Sequence, residues 1–362
     1  MGKYYPPYMG GIETHLQALS RELAKTVDLR VIVSNGGRQS VSETLEGVNL
    51  LRVSTPLTLF STPLSPAMVS AIRHAAADLI HIHLPNPAAV LAYLASGNRA
   101  KVIFTYHSDT VKQKVLGPLF QPVLDAALRR SSAVIATSPN YLRTSPVLAA
   151  VRERCHVIPY GIDLSQFEQS DPARTAEIRQ QYGERLIVSV GRLVYYKGFE
   201  YLIRAMTKVA GKLLIIGDGP LRADLERLIA DLGIAGKVVL VGEVQNEHVI
   251  PYYHAAEIFA LASIARSEAF GIVQIEAMAS GLPVVNTALD SGVPFVSLDG
   301  QTGLTVVPGD PDALAVALNR LLDDVELRRT FGAAGIQRAR QEFSLDTMVQ
   351  RTLDLYATVM AG

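Results

Sequence analysis

Arg266-Ser267-Glu268-Ala269-Phe270-Gly271-Ile272-Val273-Gln274-Ile275-Glu276-Ala277-Met278-Ala279-Ser280-Gly281-Leu282-Pro283-Val284-Val285 is the stretch that decides the fold of this 362-residue chain. The apolar run Glu257–Leu261 ahead of it reads as a buried strand. Ile272–Ala279 reads as a helix ended by Gly281, and Pro283–Asn286 returns to strand character. Strand, helix and strand at this spacing form one step of a parallel α/β sheet.

The same rhythm extends in both directions. Strand candidates are Leu29–Ser34, Asp78–His83, Lys101–His107 and Ala133–Thr137 in the first half, and Arg185–Val190, Lys212–Ile216 and Lys237–Val241 in the second. All are apolar nearly throughout, as strands covered on both faces are. Between them, residues such as Ile12, Leu16, Leu19 and Leu23 recur at helical spacing. The polar stretch Gly161–Gly183, with Pro172 inside it, separates two strand series. The expected architecture is therefore two Rossmann-like, doubly wound α/β domains facing a cleft, with ligands beyond the carboxyl ends of the strands. A turn-like Tyr5-Pro6-Pro7…Gly10-Gly11 stands where a first strand should be. The first strand of the N-terminal domain is thus expected to be missing, which would leave an exposed edge.

Composition narrows the class. Hydrophobic residues are 49 % and charged residues 19 %, which suits large cores and excludes a disordered chain. Lys+Arg and Asp+Glu balance at 34 each, so no global field favours nucleic acid, and an anionic ligand needs a local site. Cys155 alone cannot form an internal disulfide, which points to a reducing cytoplasm. The N-terminus lacks the apolar core of a signal peptide, and no apolar run approaches the ~18 residues of a membrane span. A cytoplasmic protein, at most peripheral on the membrane face, is expected.

Several residues could carry chemistry. Glu268 falls in the loop after a strand, and Glu276 projects from an otherwise apolar helix, which favours a ligand-facing carboxylate over a solvated one. A helix starting near Gly271 offers free N–H groups and a positive dipole end. Lys197 lies near the start of the helix after Gly198, where the macrodipole disfavours a cation unless an anion is also present. With Arg192 it forms a planar fork and a point charge suited to a diphosphate, able to stabilise charge on a departing phosphate. The bland alternative is two surface cations. Gly10-Gly11 feeds a helix N-terminus and lets backbone N–H groups approach a phosphate. His107 stands at the carboxyl end of a strand. His81 and His83 share a strand face but have no evident third ligand, so no metal site is expected. Asn86, in His83-Leu84-Pro85-Asn86-Pro87, is placed on the acceptor side. Gly217-Asp218-Gly219-Pro220-Leu221-Arg222 fails as a dinucleotide fingerprint, because Arg222 occupies the third small position. Asp323-Asp324 is not a metal motif. Lys112, Lys114, Leu116, Leu119, Phe120, Leu124, Leu128, Arg129 and Arg130 form a basic, apolar pattern that suits either an anionic membrane surface or a helix packed on its sheet.

Glu268 and Glu276, with Phe270-Gly271, Glu276-Ala277-Met278-Ala279-Ser280-Gly281 and Pro283-Val284-Val285, resemble the E-x7-E signature of retaining glycosyltransferase family 4, which has the GT-B fold. The resemblance covers nearly the whole chain. It implies Glu268 beside the donor sugar and Glu276 on the nucleotide ribose. It also implies Gly191-Arg192…Lys197-Gly198 on the diphosphate, Gly10-Gly11 closing over the donor phosphates, and His107 at the transferred sugar. Val244, after Val241-Gly242-Glu243, is implied near the base, and Phe270, Gly271 and Ile272 among the substrate-binding residues. The variant Asn286–Pro294, followed by Phe295-Val296-Ser297, is similar to a rhamnosyl/mannosyl subgroup and suggests GDP-mannose. The implied domains are 1–165 on the acceptor side, 166–345 for the nucleotide-sugar, and 346–362 as a helix crossing back. The expectation is a metal-independent, cofactor-free mannosyltransferase of surface polysaccharide biosynthesis, acting on a glycan or lipid-linked acceptor with possible inner-membrane contact. Rival readings are a weak nucleotide-sugar-binding subunit, a hydrolase using the two Glu residues as an acid/base pair, and a sugar-nucleotide epimerase.

Overall fold

The computed structural model describes residues 1–8, 10–59, 62–108 and 116–362. They form two compact units, one of Met1–Gly161 with Leu345–Gly362, the other of Ile162–Ser344.

The first unit carries β1 (Arg30–Ser34), β2 (Val41–Leu45), β3 (Val48–Val53), β4 (Leu57–Leu59), β5 (Thr62–Leu64), β6 (Leu79–Leu84), β7 (Lys101–Tyr106), β8 (Ala133–Ala136) and β9 (Cys155–Val157). β6 to β9 form a parallel sheet in that order. β1 pairs parallel with β3, and β2 closes that sheet antiparallel. Among the described residues, no strand precedes the helix Gly11–Leu23. Instead, Met1–Lys3 runs between the two sheets. Gly2 N–H donates to Ile32 O and Ser34 N–H to Lys3 O on one side, while His83 N–H donates to Met1 O on the other. The edges of β1 and β6 that an absent strand would expose are therefore bonded here to these three residues. The helix Leu345–Ala361 belongs to this unit: Leu345, Met348 and Leu355 share a core with Leu19, Leu23, Ile103 and Ile135.

The second unit is a single six-stranded parallel sheet. β10 (Leu186–Val190), β11 (Lys212–Ile216), β12 (Val238–Gly242), β13 (Ile258–Ala260), β14 (Val284–Thr287) and β15 (Gly303–Val306) lie in the order β12-β11-β10-β13-β14-β15. This is the 3-2-1-4-5-6 order of a Rossmann sheet, with its switch point between β10 and β13. The core joins β10, β11 and β13 to the helices Phe199–Ala205 and Pro311–Asp323 through Ile187, Leu202, Leu213, Ile258 and Leu318.

Every strand expected from sequence is present, displaced by no more than one residue at either end. The expected helix at Ile272–Ala279 begins at Val273. The polar stretch Gly161–Gly183 begins where the two units divide, and it is itself structured. It holds helices Ser165–Glu168 and Pro172–Tyr182, the latter capped by Asp171 Oδ1 accepting from Arg174 N–H at 3.0 Å. Only Thr175 and Ile178 are buried along Pro172–Tyr182, too little apolar surface to show as a periodic pattern. Lys112 and Lys114 lie outside the described residues, and the helix that follows spans Leu116–Arg129. Among the described residues, no helix is long and apolar enough to cross a membrane.

Candidate active site

In the second unit, the strand ends at the switch point carry the charged residues. β10 ends at Val190, and Gly191 has φ +154°. A Cβ on Gly191 would lie 3.0 Å from Lys197 Cε, so the glycine leaves room for the lysine stem. Lys197 is followed by Gly198, at φ +66°, where a Cβ would come within 2.1 Å of the Ala262 carbonyl. Glycine at 198 thus lets the turn press against the segment after β13. That segment supplies Ser263 and Glu268. Lys197 Nζ lies 2.6 Å from Glu268 Oε2, with each side chain only 10 % exposed. Ser263 Oγ donates to the same oxygen at 3.0 Å, and Thr287 Oγ1, at the end of β14, donates to Ser263 O. The carboxylate is thereby fixed from two directions.

Arg192 is exposed, and its side chain has no hydrogen bond or ion pair among the described residues. Glu276, on the helix Val273–Ala279, accepts a 2.7 Å hydrogen bond from the Tyr253 hydroxyl. Burial raises the Glu276 carboxyl above its ordinary value, while the Tyr253 hydrogen bond and the Lys197 charge pull it back. Burial also holds the Tyr253 hydroxyl well above the usual range, so it remains a donor.

The structure gathers Lys197 and Glu268 but distributes other expected residues differently. The Phe270 ring is 2 % exposed and packs with Phe295 and Phe343, so it faces the core and not a ligand. Gly271 has φ +76°, and its Cβ position is filled by Gln274 and Leu261. Ile272, partly exposed, precedes the helix. Val244 lines a separate cavity of about 860 Å³ with Asp171, Arg174, Gln245, His248 and Tyr252. The sequence reading missed Tyr253, Ser263 and a buried amide pair: Asn286 Nδ2 donates to Gln274 Oε1 at 2.8 Å, while Gln274 Nε2 reaches Phe270 O at 3.2 Å. A glutamine on an otherwise apolar helix face was the available signal for the amide pair. Tyr253 carried none, because its partner is 23 residues away.

In the first unit, Gly10 is extended (φ −179°) and caps the helix Gly11–Leu23. A Cβ on Gly11 would meet nothing within 4 Å, so the local turn does not require that glycine, whereas a Cβ on Gly10 would displace the Glu13 carboxylate. Asn86 caps the helix Pro87–Ser96 through Oδ1, which accepts from Ala89 N–H, while its buried Nδ2 is unpartnered among the described residues. His107 is 1 % exposed, and both ring nitrogens are engaged. Nδ1 shares a 2.5 Å hydrogen bond with the Tyr160 hydroxyl, and Nε2 a 2.9 Å bond with His83 Nδ1. Burial drives His107 and His83 well below the ordinary imidazole value, so both rings are neutral. The third ring that sequence did not supply is His15, which packs edge-on to His107. The His81 ring stacks on His83, but its nitrogens bond Tyr356 and Thr105 at 2.6 Å each.

Comparison with known proteins bears on the family and the fold. Residues 9–166 match the Glycosyltransferase Family 4 model, and residues 173–338 match Glycosyl transferases group 1. The O-antigen chain mannosyltransferase C of Escherichia coli is 29 % identical over 99 % of this chain and 96 % of its own length. The D-rhamnosyltransferase WbpZ of Pseudomonas aeruginosa PAO1 is 32 % identical over 81 % of this chain and 77 % of its own. The fold matches Anabaena Alr3699/HepE, crystallised with UDP, at a TM-score of 0.81 and 22 % identity over 99 % of this chain and 98 % of that one. With both halves matched by family models and a 32 % identical relative aligned over most of both chains, the chain belongs to the family 4, group 1 glycosyltransferases of GT-B fold.

Proposed function

We propose that this enzyme moves mannose from GDP-mannose, with retention of configuration, onto a glycan or lipid-linked acceptor in surface polysaccharide assembly. The observation that carries the reading is the Lys197–Glu268 pair at the switch point of the second sheet, with the unpaired Arg192 two residues past β10. A diphosphate there meets one cation already positioned and one still without a partner. When the anomeric C–O bond breaks, its electron pair stays on the departing phosphate oxygen. Arg192 and Lys197 neutralise that charge, so transfer needs no metal. The acceptor hydroxyl forms the new bond on the same face, and its proton goes to the phosphate. Glu268, relieved of Lys197 by the diphosphate, holds donor sugar hydroxyls. Glu276 accepts from the ribose, and the cavity beside Val244 takes the base. His107 meets the transferred sugar at the reaction centre and Asn86 serves the acceptor side, with residues 1–165 assigned to the acceptor, 166–345 to the donor, and contact with the inner membrane face bringing a lipid-linked acceptor within reach.

GDP-mannose is favoured by the Asn286–Ser297 segment and by the name of the Escherichia coli relative; the Pseudomonas relative supports D-rhamnose as a second reading. The test is incubation with GDP-mannose, GDP-D-rhamnose, UDP-glucose, UDP-N-acetylglucosamine and dTDP-rhamnose, following slow release of nucleotide diphosphate by mass spectrometry. Release of GDP from GDP-mannose alone, lost in Glu268→Ala, supports the proposal. Release only from another donor replaces the sugar, and donor binding without turnover when acceptor is supplied favours a binding subunit.

A further inference from the structure

His15, His83 and His107 come from three separate elements: the helix Gly11–Leu23, β6, and the end of β7. One ring nitrogen of each lies within 4.8 Å of those of the other two. His83 and His107 are buried, and His15 Nδ1 is buried with no hydrogen-bond partner among the described residues. An orphaned ring nitrogen in a closed imidazole cluster has lost its water and gained nothing in return. We propose that these three histidines bind one transition-metal ion of the Zn²⁺ class, and that the bound ion holds His107 out of use.

The donor set decides the class of ion. Three imidazoles without a carboxylate suit Zn²⁺, Ni²⁺ or Cu²⁺ and do not suit Mg²⁺ or Ca²⁺. Tetrahedral Zn–N bonds of about 2.0–2.1 Å place ligand nitrogens about 3.4 Å apart. The His83–His107 contact at 2.9 Å is somewhat tighter than that, and the 4.8 Å limit on the full set is somewhat wider. Small ring rotations reach the required spacing, the metal replacing the His83–His107 hydrogen bond. Tyr160 supplies the outer support: its hydroxyl, 2.5 Å from His107 Nδ1, orients the ring so that Nε2 faces the cluster. His81 is excluded because Tyr356 and Thr105 occupy both its nitrogens. The fourth position is left to water.

The inhibitory part rests on the function proposed for His107; the binding part does not. The full chain, stripped with chelator, is titrated with Co²⁺ and Zn²⁺, following the visible absorption of tetrahedral Co²⁺ and the calorimetric stoichiometry. The expected result is one ion per chain. His15→Ala should weaken it about tenfold or more, since losing even an outer-shell partner costs 10–100-fold. His83→Gln should do the same, and the exposed His156→Ala should bind as the parent does. Circular dichroism confirms that each variant is folded. No stoichiometric binding, or binding indifferent to both His15→Ala and His83→Gln, overturns the site. One bound ion with unchanged transfer overturns the inhibitory role. Because binding is read without turnover, a failed donor assay and a failed metal site are distinguishable.

Discussion

Lys197 Nζ sits 2.6 Å from Glu268 Oε2, and these two residues, 71 positions apart, form a largely buried ion pair where two neighbouring strands of a parallel sheet end. In the proposed function the pair is a resting arrangement: each charge satisfies the other until an anion takes the lysine and a sugar takes the carboxylate. Such a pair is weak evidence for stability but costly to break from one side, because the survivor is left buried and uncompensated.

Lys197→Met should therefore lower stability by about 3–5 kcal/mol, and thermal melts measure it. The double variant Lys197→Met/Glu268→Gln, which leaves no stranded charge, should recover most of that loss yet remain inactive. Donor affinity should fall about 10- to 100-fold in both, the worth of a hydrogen bond to a charged group. Equal stability of the single variant and the parent would show that the pair does not hold as described.

Donor binding should depend on pH through Glu276. In the proposed function it accepts from the ribose as a carboxylate, and its raised position means that affinity should fall on acidification before an ordinary glutamate would protonate. Tyr253→Phe removes the hydrogen bond that pulls Glu276 back down, so the loss should move to still higher pH. Stability runs the other way. A carboxyl raised in the folded state favours folding when protonated, and that contribution is lost as pH rises through the raised value. Calorimetric titration of GDP across pH 4.5 to 8, with Glu276→Gln as the flat control, reads the first effect; a parent profile as flat as the control would remove Glu276 from the ribose.

Two glycine substitutions should separate structure from function. Gly198→Ala places a Cβ within 2.1 Å of Ala262 O at a positive φ, so it should destabilise the second unit by at least about 1–3 kcal/mol. Gly11→Ala meets nothing within 4 Å, and its melting point should match the parent. If Gly11 approaches a donor phosphate, transfer should nonetheless fall in Gly11→Ala. Full activity in that variant would leave the Gly10-Gly11 loop without a role in transfer.

If Arg192 and Lys197 carry the charge of the leaving group, as proposed, chelation should not abolish transfer. Activity of the chelator-treated enzyme at or above that of untreated enzyme is the expected outcome. Loss restored by Mg²⁺ or Mn²⁺ would require a metal at the diphosphate.

Sequence alone determined the α/β class and its principal strands. Burial on both faces forces runs such as Lys212–Ile216 and Ala133–Ala136 to be continuously apolar, a local signal that survives without any partner. It failed where burial is one-sided or slight. β2 is exposed along four of its five residues, and Pro172–Tyr182 buries only two, so neither leaves a periodic apolar trace. The spacing of Glu268 and Glu276 and the glycines around Lys197 were equally legible, because loop and helix geometry follow from neighbouring residues. What those side chains touch was not. Tyr253 on Glu276, Ser263 and Lys197 on Glu268, Asn286 on Gln274, and the convergence of His15, His83 and His107 are set by strand order and helix packing. Sheet order decides which strand ends become neighbours, and no local periodicity encodes it. The sequence thus determined which residues are candidates to carry the chemistry, and tertiary packing decided their partners: Phe270 went to the core, and His15 completed the imidazole cluster.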